Sequence, residues 1–263
     1  MFRIAILASA ITLVACGGGG GAAPASVPAP VTNVSAEGIW SGTGSNGVVI
    51  SFVILENGET WGLYGTSASI NGALFGSTTT SGTAVSMTGN SFDFISRASG
   101  PGSLTGSVVS KSTLSVVSNA GTTLNAAYSA TYDQAPSLAA LAGTFSGQAV
   151  SGTVAPQATT VTISATGVVT AVVIGCTTSG SVVPRPTGKN IFNVSVTSVG
   201  PACALGSGTV STGVASFNPA TRQFIAMALN PSKSDGFVYV GTRKSGRMRC
   251  GVVIRRRIGS SYR

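Results

Sequence analysis

Val48-Val49-Ile50-Ser51-Phe52-Val53-Ile54-Leu55-Glu56-Asn57-Gly58-Glu59-Thr60-Trp61-Gly62-Leu63-Tyr64 is the stretch that decides the fold. Residues 48–55 form an apolar run and residues 59–64 a second strand-like run, with Asn57-Gly58 between them. An Asn-Gly pair in that position is a strong short-range hairpin signal, because both residues tolerate the positive φ of a type I′ turn. A hairpin with such a turn is therefore expected. Glu56 and Glu59 flank it; a paired acid and base of a glycosidase would need two carboxylates facing one another, and a solvated hairpin tip is the simpler account of them.

Outward from this hairpin the same texture continues. Strands are expected at 91–96, 102–109, 113–117 and 122–132, then at 159–165, 168–175, 190–197, 213–217, 223–229 and 236–241. Turn signals such as Asn218-Pro219-Ala220-Thr221 and Asn230-Pro231-Ser232-Lys233 separate them, at the spacing of about eight to twelve residues that marks all-β sandwiches and barrels. Composition agrees. The chain has 263 residues, 36 of them glycine, and only 8% are charged, against about 25% in typical globular domains. Mean hydropathy of +0.41 supplies enough apolar material for folded cores.

Gly38-Ile39-Trp40-Ser41-Gly42 returns as Gly143-Thr144-Phe145-Ser146-Gly147. Two further echoes keep the same order: 69–74 with 178–182, and 90–95 with 190–196. Two tandem lobes are the simplest account, a single large sheet the alternative. Pro136-Ser137-Leu138-Ala139-Ala140-Leu141-Ala142 reads as a short helical linker, with Pro early and Gly143 at the stop. The expected lobes are 37–135 and 143–243, with the linker at 136–142. Small sheets with few large side chains leave exposed edges, and closing each lobe into an up-and-down antiparallel barrel removes them. The Gly-x-Trp opening at Gly38 and Trp40 resembles that of lipocalin-type barrels and of transferrin-binding-protein lobes. That resemblance implies barrel architecture, with Trp40 and Phe145 as plugs of the core.

The amino terminus places an apolar run, 4–14, behind Arg3 and closes it with Leu13-Val14-Ala15-Cys16. The run is shorter than the ~20 residues of a permanent span and reads as a cleaved signal, 1–15. Leu13, Val14, Ala15 and Cys16 resemble the lipobox of bacterial lipoproteins. The resemblance implies peptidase recognition through Leu13, Val14 and Ala15 and lipidation of Cys16, which becomes the first residue and anchors the chain in the bilayer. Gly17 stands where many inner-membrane lipoproteins carry aspartate, which implies outer-membrane delivery. The Gly/Ala/Pro-rich stretch 16–36 has no apolar periodicity and reads as a flexible stalk, with a root-mean-square reach of about 25 Å.

Net charge is +9, and nearly all of the excess lies in the tail 244–263, with Arg255-Arg256-Arg257 at its centre. The tail reads as a solvated basic end. Contact with lipopolysaccharide or anionic lipid is the functional alternative, at about 1 kcal/mol per cation near such a surface. Nucleic-acid binding is not expected, because stacking aromatics are missing. Cys176 and Cys203 end and precede predicted strands, so a disulfide between them is expected in an oxidising compartment; Cys250 is left over.

No histidine occurs anywhere. This removes Ser-His-Asp and Cys-His nucleophile systems and His-ligated zinc. Lys111 and Lys189 are the lysines that could serve a Ser-Lys pair, and neither lies in Ser-x-x-Lys. No enzyme activity, cofactor or metal is expected. The expectation is a lipid-anchored, non-catalytic binding module for a protein or small apolar ligand. A structural envelope lipoprotein with no discrete ligand is the alternative; a cavity of a few hundred Å³ at a barrel mouth distinguishes them.

Overall fold

The computed structural model describes residues 32–66 and 68–243. Leu13, Val14, Ala15, Cys16, the basic tail and Cys250 lie outside the described residues. The first lobe consists of β1 (Gly38–Gly44), β2 (Val49–Ile54), β3 (Glu59–Gly65), β4 (Ile70–Ser81), β5 (Ala84–Asp93), β6 (Ala98–Val109), β7 (Thr113–Ser118) and β8 (Thr123–Tyr128). The second consists of β9 (Gly143–Ser151), β10 (Gln157–Ile163), β11 (Val168–Val173), β12 (Cys176–Pro184), β13 (Ile191–Val199), β14 (Val210–Asn218), β15 (Gln223–Leu229) and β16 (Gly236–Arg243). Sequential strands pair antiparallel, and each set of eight closes on itself, β1 to β8 and β9 to β16. The chain is all-β, in two barrels.

A 3-10 turn at Ala130–Asp133 and the helix α1 (Leu138–Leu141) connect the barrels. Both fall at or beside the expected linker, and Ser137 caps α1, accepting from the Ala140 N–H at 3.1 Å.

The first echo holds in register as well as in order. Gly38 pairs with Ile54 and Trp40 with Phe52; Gly143 pairs with Ile163 and Phe145 with Val161. Gly38 and Gly143 share φ values of 151° and 150°, which disfavour any side chain. The closing strand places Tyr128 opposite Trp40 and Arg243 opposite Phe145. Residues 69–74 and 178–182 fall on the fourth strand of their lobes. The third echo is out of register: Asn90 lies near the end of β5, whereas Asn190 precedes the start of β13.

Several expected boundaries move. The strand expected at 122–132 stops at Tyr128 and gives way to the 3-10 turn. The one expected at 91–96 is the end of β5, which begins at Ala84. In the β2–β3 hairpin only Gly58 has positive φ, at 81°, so Asn57-Gly58 is not a type I′ turn. Instead Gly58 donates to the Leu55 carbonyl and Leu55 to the Glu59 carbonyl, both at 2.9 Å, a three-residue loop with its left-handed position at Gly58. The stalk expected to reach Ala36 ends sooner. Val34 N–H donates to Gly82 O at 2.9 Å, Gly82 N–H donates to Asn33 Oδ1 at 2.9 Å, and Ala36 is buried in the first lobe.

Three apolar clusters hold the molecule together. One fills each barrel, and the third joins the outer faces of the two. In β2, Phe52 and Ile54 point into the first barrel while Val53 and Leu55 face the second lobe. In β15, Phe224 and Ala226 point inward and Met227 and Leu229 face the first lobe. A strand buried on both faces loses hydrophobic alternation. That is why 52–55 and 224–229 read as unbroken apolar runs while β7, with Leu114 and Val116 buried, alternates cleanly.

Candidate functional site

Each barrel is stoppered at the end where its first strand begins. Trp40 and Phe145 are fully buried there. Trp40 donates its indole N–H to Ala36 O at 2.8 Å and meets Tyr128 edge-on, with ring centroids 5.2 Å apart. Phe145 packs on Phe217 and Phe224, and Tyr239 donates to its carbonyl at 3.0 Å. Burial pushes the Tyr239 hydroxyl up to about 12, so it stays a donor. The two expected plugs are where the sequence puts them.

At the opposite end both barrels are open. The mouth of the first encloses a cavity of about 290 Å³, walled by Ile50, Phe52, Tyr64, Leu74 and Leu104. Two glycines line it: Gly62 pairs with Phe52 of β2, and Gly102 pairs with Gly89 of β5, so the wall at Gly102 carries no side chain from either strand. A Cβ on Gly62 would enter the Phe52 ring, whereas one on Gly102 would meet Leu74 and Ser91 only at 3.4 Å. Tyr64 crosses the mouth, its hydroxyl 3.3 Å from both Ser91 Oγ and Phe92 O. Burial raises its pKa despite the Ser91 contact, so the hydroxyl is neutral; Asn46, Ser91, Ser103, Ser118, Asn119 and Thr122 add further uncharged polar groups to the lining.

The second mouth is smaller, about 140 Å³, with walls from Val150, Val161, Ala171, Phe237 and Tyr239. Cys176 and Cys203 are disulfide-bonded at its rim, with Cα atoms 4.9 Å apart. The bond fastens the β13–β14 loop across the opening, so Ala202, Ala204 and Leu205 form a roof. Ala202 N–H donates to Gly175 O at 3.1 Å, and Thr153 on the far rim reaches Ala204 O at 3.5 Å. The open ends carry few charges: among the described residues, Asp93, Arg97, Lys233 and Asp235.

The remaining charged groups gather where the lobes meet and at the stoppered ends. Lys111 and Lys189 both donate to Asp133, at 3.0 and 2.7 Å. Lys189, then Lys111, hold the Asp133 carboxyl down at about 2. Asp133 in turn raises the Lys189 pKa, the opposite of what a general-base lysine needs. Glu56 is exposed at the hairpin tip, as expected, and there accepts from Arg185 of the second lobe. Burial raises the Glu56 pKa, but the Arg185 hydrogen bond and charge together with the Glu56 backbone N–H outweigh it, and the net direction is down. Glu59 accepts from the Trp61 indole at 2.6 Å. Tyr132 completes the joint, donating to Glu37 at 2.8 Å while its carbonyl accepts from Asn190 N–H at 3.0 Å.

The mouth residues were not legible as a site in the sequence. Tyr64, Leu74 and Leu104 look like ordinary strand residues, and only the cross-strand register shows that they surround a gap.

No family model, curated protein or solved structure matches this chain. The fold and site define a tandem eight-stranded antiparallel barrel protein, each barrel stoppered at one end and open at the other.

Proposed function

We propose that this protein is a lipid-anchored lipoprotein of the bacterial outer membrane, acting as a non-catalytic binding module that takes a small apolar ligand into the mouth of its first barrel. The observation that carries the ligand reading is the pairing of a Trp40 stopper with an open apolar cavity of about 290 Å³, near the lower end of the ~300–1,000 Å³ range of small-molecule sites. A barrel needed only for mechanical or packing reasons would fill that volume with side chains, as the other end of the same barrel does. The Tyr64 hydroxyl is suited to orient one polar atom of the ligand. Anchoring rests on the lipobox-like Leu13-Val14-Ala15-Cys16 and the Gly-rich stretch behind it.

Titration with a neutral naphthylamine probe, whose fluorescence rises in apolar surroundings, tests the ligand reading. Wild-type protein should bind it saturably, and Gly102→Leu, which fills the mouth without displacing backbone, should not. Equal binding by Gly102→Leu, or no saturable binding by wild type, rejects the site. Intact mass of the membrane-extracted protein tests the anchor: a chain beginning at Cys16 with added acyl mass is expected, and an unmodified amino terminus contradicts it.

A further inference from the structure

Two grooves lie along the line where the lobes meet, with volumes of about 440 and 460 Å³. They differ sharply in chemistry. The first is lined by hydroxyl, amide and aliphatic groups, with Ser51, Thr66 and Gln148 among them, and has no charged side chain among the described residues. The second brings together Glu59, Arg185 and Lys233 with Asn193, Ser195 and Thr212. In a chain with 8% charged residues, covering the joint does not require three of them in one groove, since the other groove manages with none.

Each charge has a distinct state. Arg185 is fixed, donating through Nη1 to Asn193 Oδ1 at 2.7 Å and through Nη2 to Glu56. Its charge is matched by Glu56. Glu59 is oriented by the Trp61 indole. Lys233 makes no ion pair among the described residues; its ammonium lies 5.1 Å from the centre of the Phe75 ring, a cation–π contact that leaves its outer side open. Lys233 also has φ of 56°, a left-handed conformation unfavourable for any residue but glycine. Arg97, Lys111 and Arg222 take the same conformation in other tight turns of this chain.

The hydroxyl groups complete the pattern. Ser195 and Thr212 are directly opposed across β13 and β14, with Asn193 the next outward residue along β13. Hydroxyls and amides both donate and accept, which matches a ligand whose own groups do the same. Of the charges lining the groove, Lys233 and Glu59 make no ion pair among the described residues, so it offers one cation to a carboxylate and one carboxylate to accept from hydroxyls, and provides poorly for a di- or triphosphate. The volume is that of a small-molecule site.

We infer that this groove binds a small, singly anionic saccharide of the uronic-acid class, with Lys233 on its carboxylate and Ser195, Thr212 and Asn193 on its ring hydroxyls. The site is separate from the barrel mouths and stands or falls independently of them.

Calorimetric titration of the full chain with an aldobiuronic acid, one uronic ring linked to one neutral ring, tests the inference against the corresponding neutral disaccharide. The acidic sugar should bind at least about tenfold more tightly than the neutral one, the scale of one charge-assisted hydrogen bond. Lys233→Gly should abolish that preference while leaving the thermal midpoint unchanged or raised, because glycine removes charge and backbone strain together. Gln148→Ala, in the uncharged groove, should bind as wild type does. Equal affinity for the two sugars, an acidic preference that survives Lys233→Gly, or no binding of the acidic sugar at millimolar concentration overturns it.

Discussion

Arg185, in the turn between β12 and β13, reaches across to Glu56 in the β2–β3 hairpin and ties the stoppered end of the second barrel to that of the first. The two residues are 129 positions apart, and the arginine side chain is 16% exposed. With the Lys189–Asp133 pair and the apolar cluster around Leu55, Trp61 and Met227, the contact makes one compact unit of the two lobes.

Removing the arginine head group by Arg185→Met leaves both Glu56 and Asn193 without their donor. Stability should fall by about 1–3 kcal/mol. A double-mutant cycle with Glu56→Gln, measured by urea denaturation, should show the two losses to be non-additive, since both remove the same interaction. Additive losses contradict a direct coupling.

Acid should loosen the joint in a defined window. The Asp133 pKa is depressed to about 2 by Lys189 and Lys111, whereas an unfolded aspartate titrates near ~3.9. Its contribution is therefore complete above about pH 4 and is lost as pH falls toward 2. The urea midpoint should drop across that window, and Asp133→Asn should flatten the slope. High salt should flatten it as well, because the group is solvent-accessible.

Gly58→Ala tests the corrected hairpin. Its φ is 81°, and an added Cβ would press on the Thr78 carbonyl. A loss of more than about 1 kcal/mol is expected, read as a lowered thermal midpoint. Asn57→Ala should be milder, because Asn57 does not occupy the left-handed position and loses only its side-chain contact to the Glu59 N–H.

Reduction of Cys176–Cys203 should act on one lobe. The bond closes a loop with a sequence separation of 27, which corresponds to about 3–4 kcal/mol on the chain-entropy estimate. Hydrogen exchange should accelerate in the β13–β14 loop, over 200–209, and leave β2 and β3 unchanged. Acceleration spread evenly over both barrels contradicts a local role.

Much of this architecture can be read from short-range pattern. Gly38 and Trp40, repeated as Gly143 and Phe145, mark the start of each barrel because a left-handed glycine followed by an aromatic stopper is a local requirement. Ser137 and Gly143 bound the linker for equally local reasons. The strands β4 and β12 are harder to see. Gly72 and Gly76 break the apolar alternation of β4, and β12 is mostly Thr, Ser and Gly. The apolar run at 48–55 announces a strand but not that its second face meets another barrel. Least legible are Arg185–Glu56 and the ring of Ile50, Tyr64, Leu74 and Leu104. Those depend on long-range register, and a cavity is defined by side chains that are absent.

Methyl NMR with a small neutral hydrocarbon ligand tests the central claim most directly. Saturable shifts at the methyls of Ile50, Leu74 and Leu104, with Leu55 and Leu229 in the joint unmoved, are the predicted result. Shifts at Leu55 and Leu229 with the mouth silent, or no saturable shift anywhere, would contradict a ligand-binding first barrel.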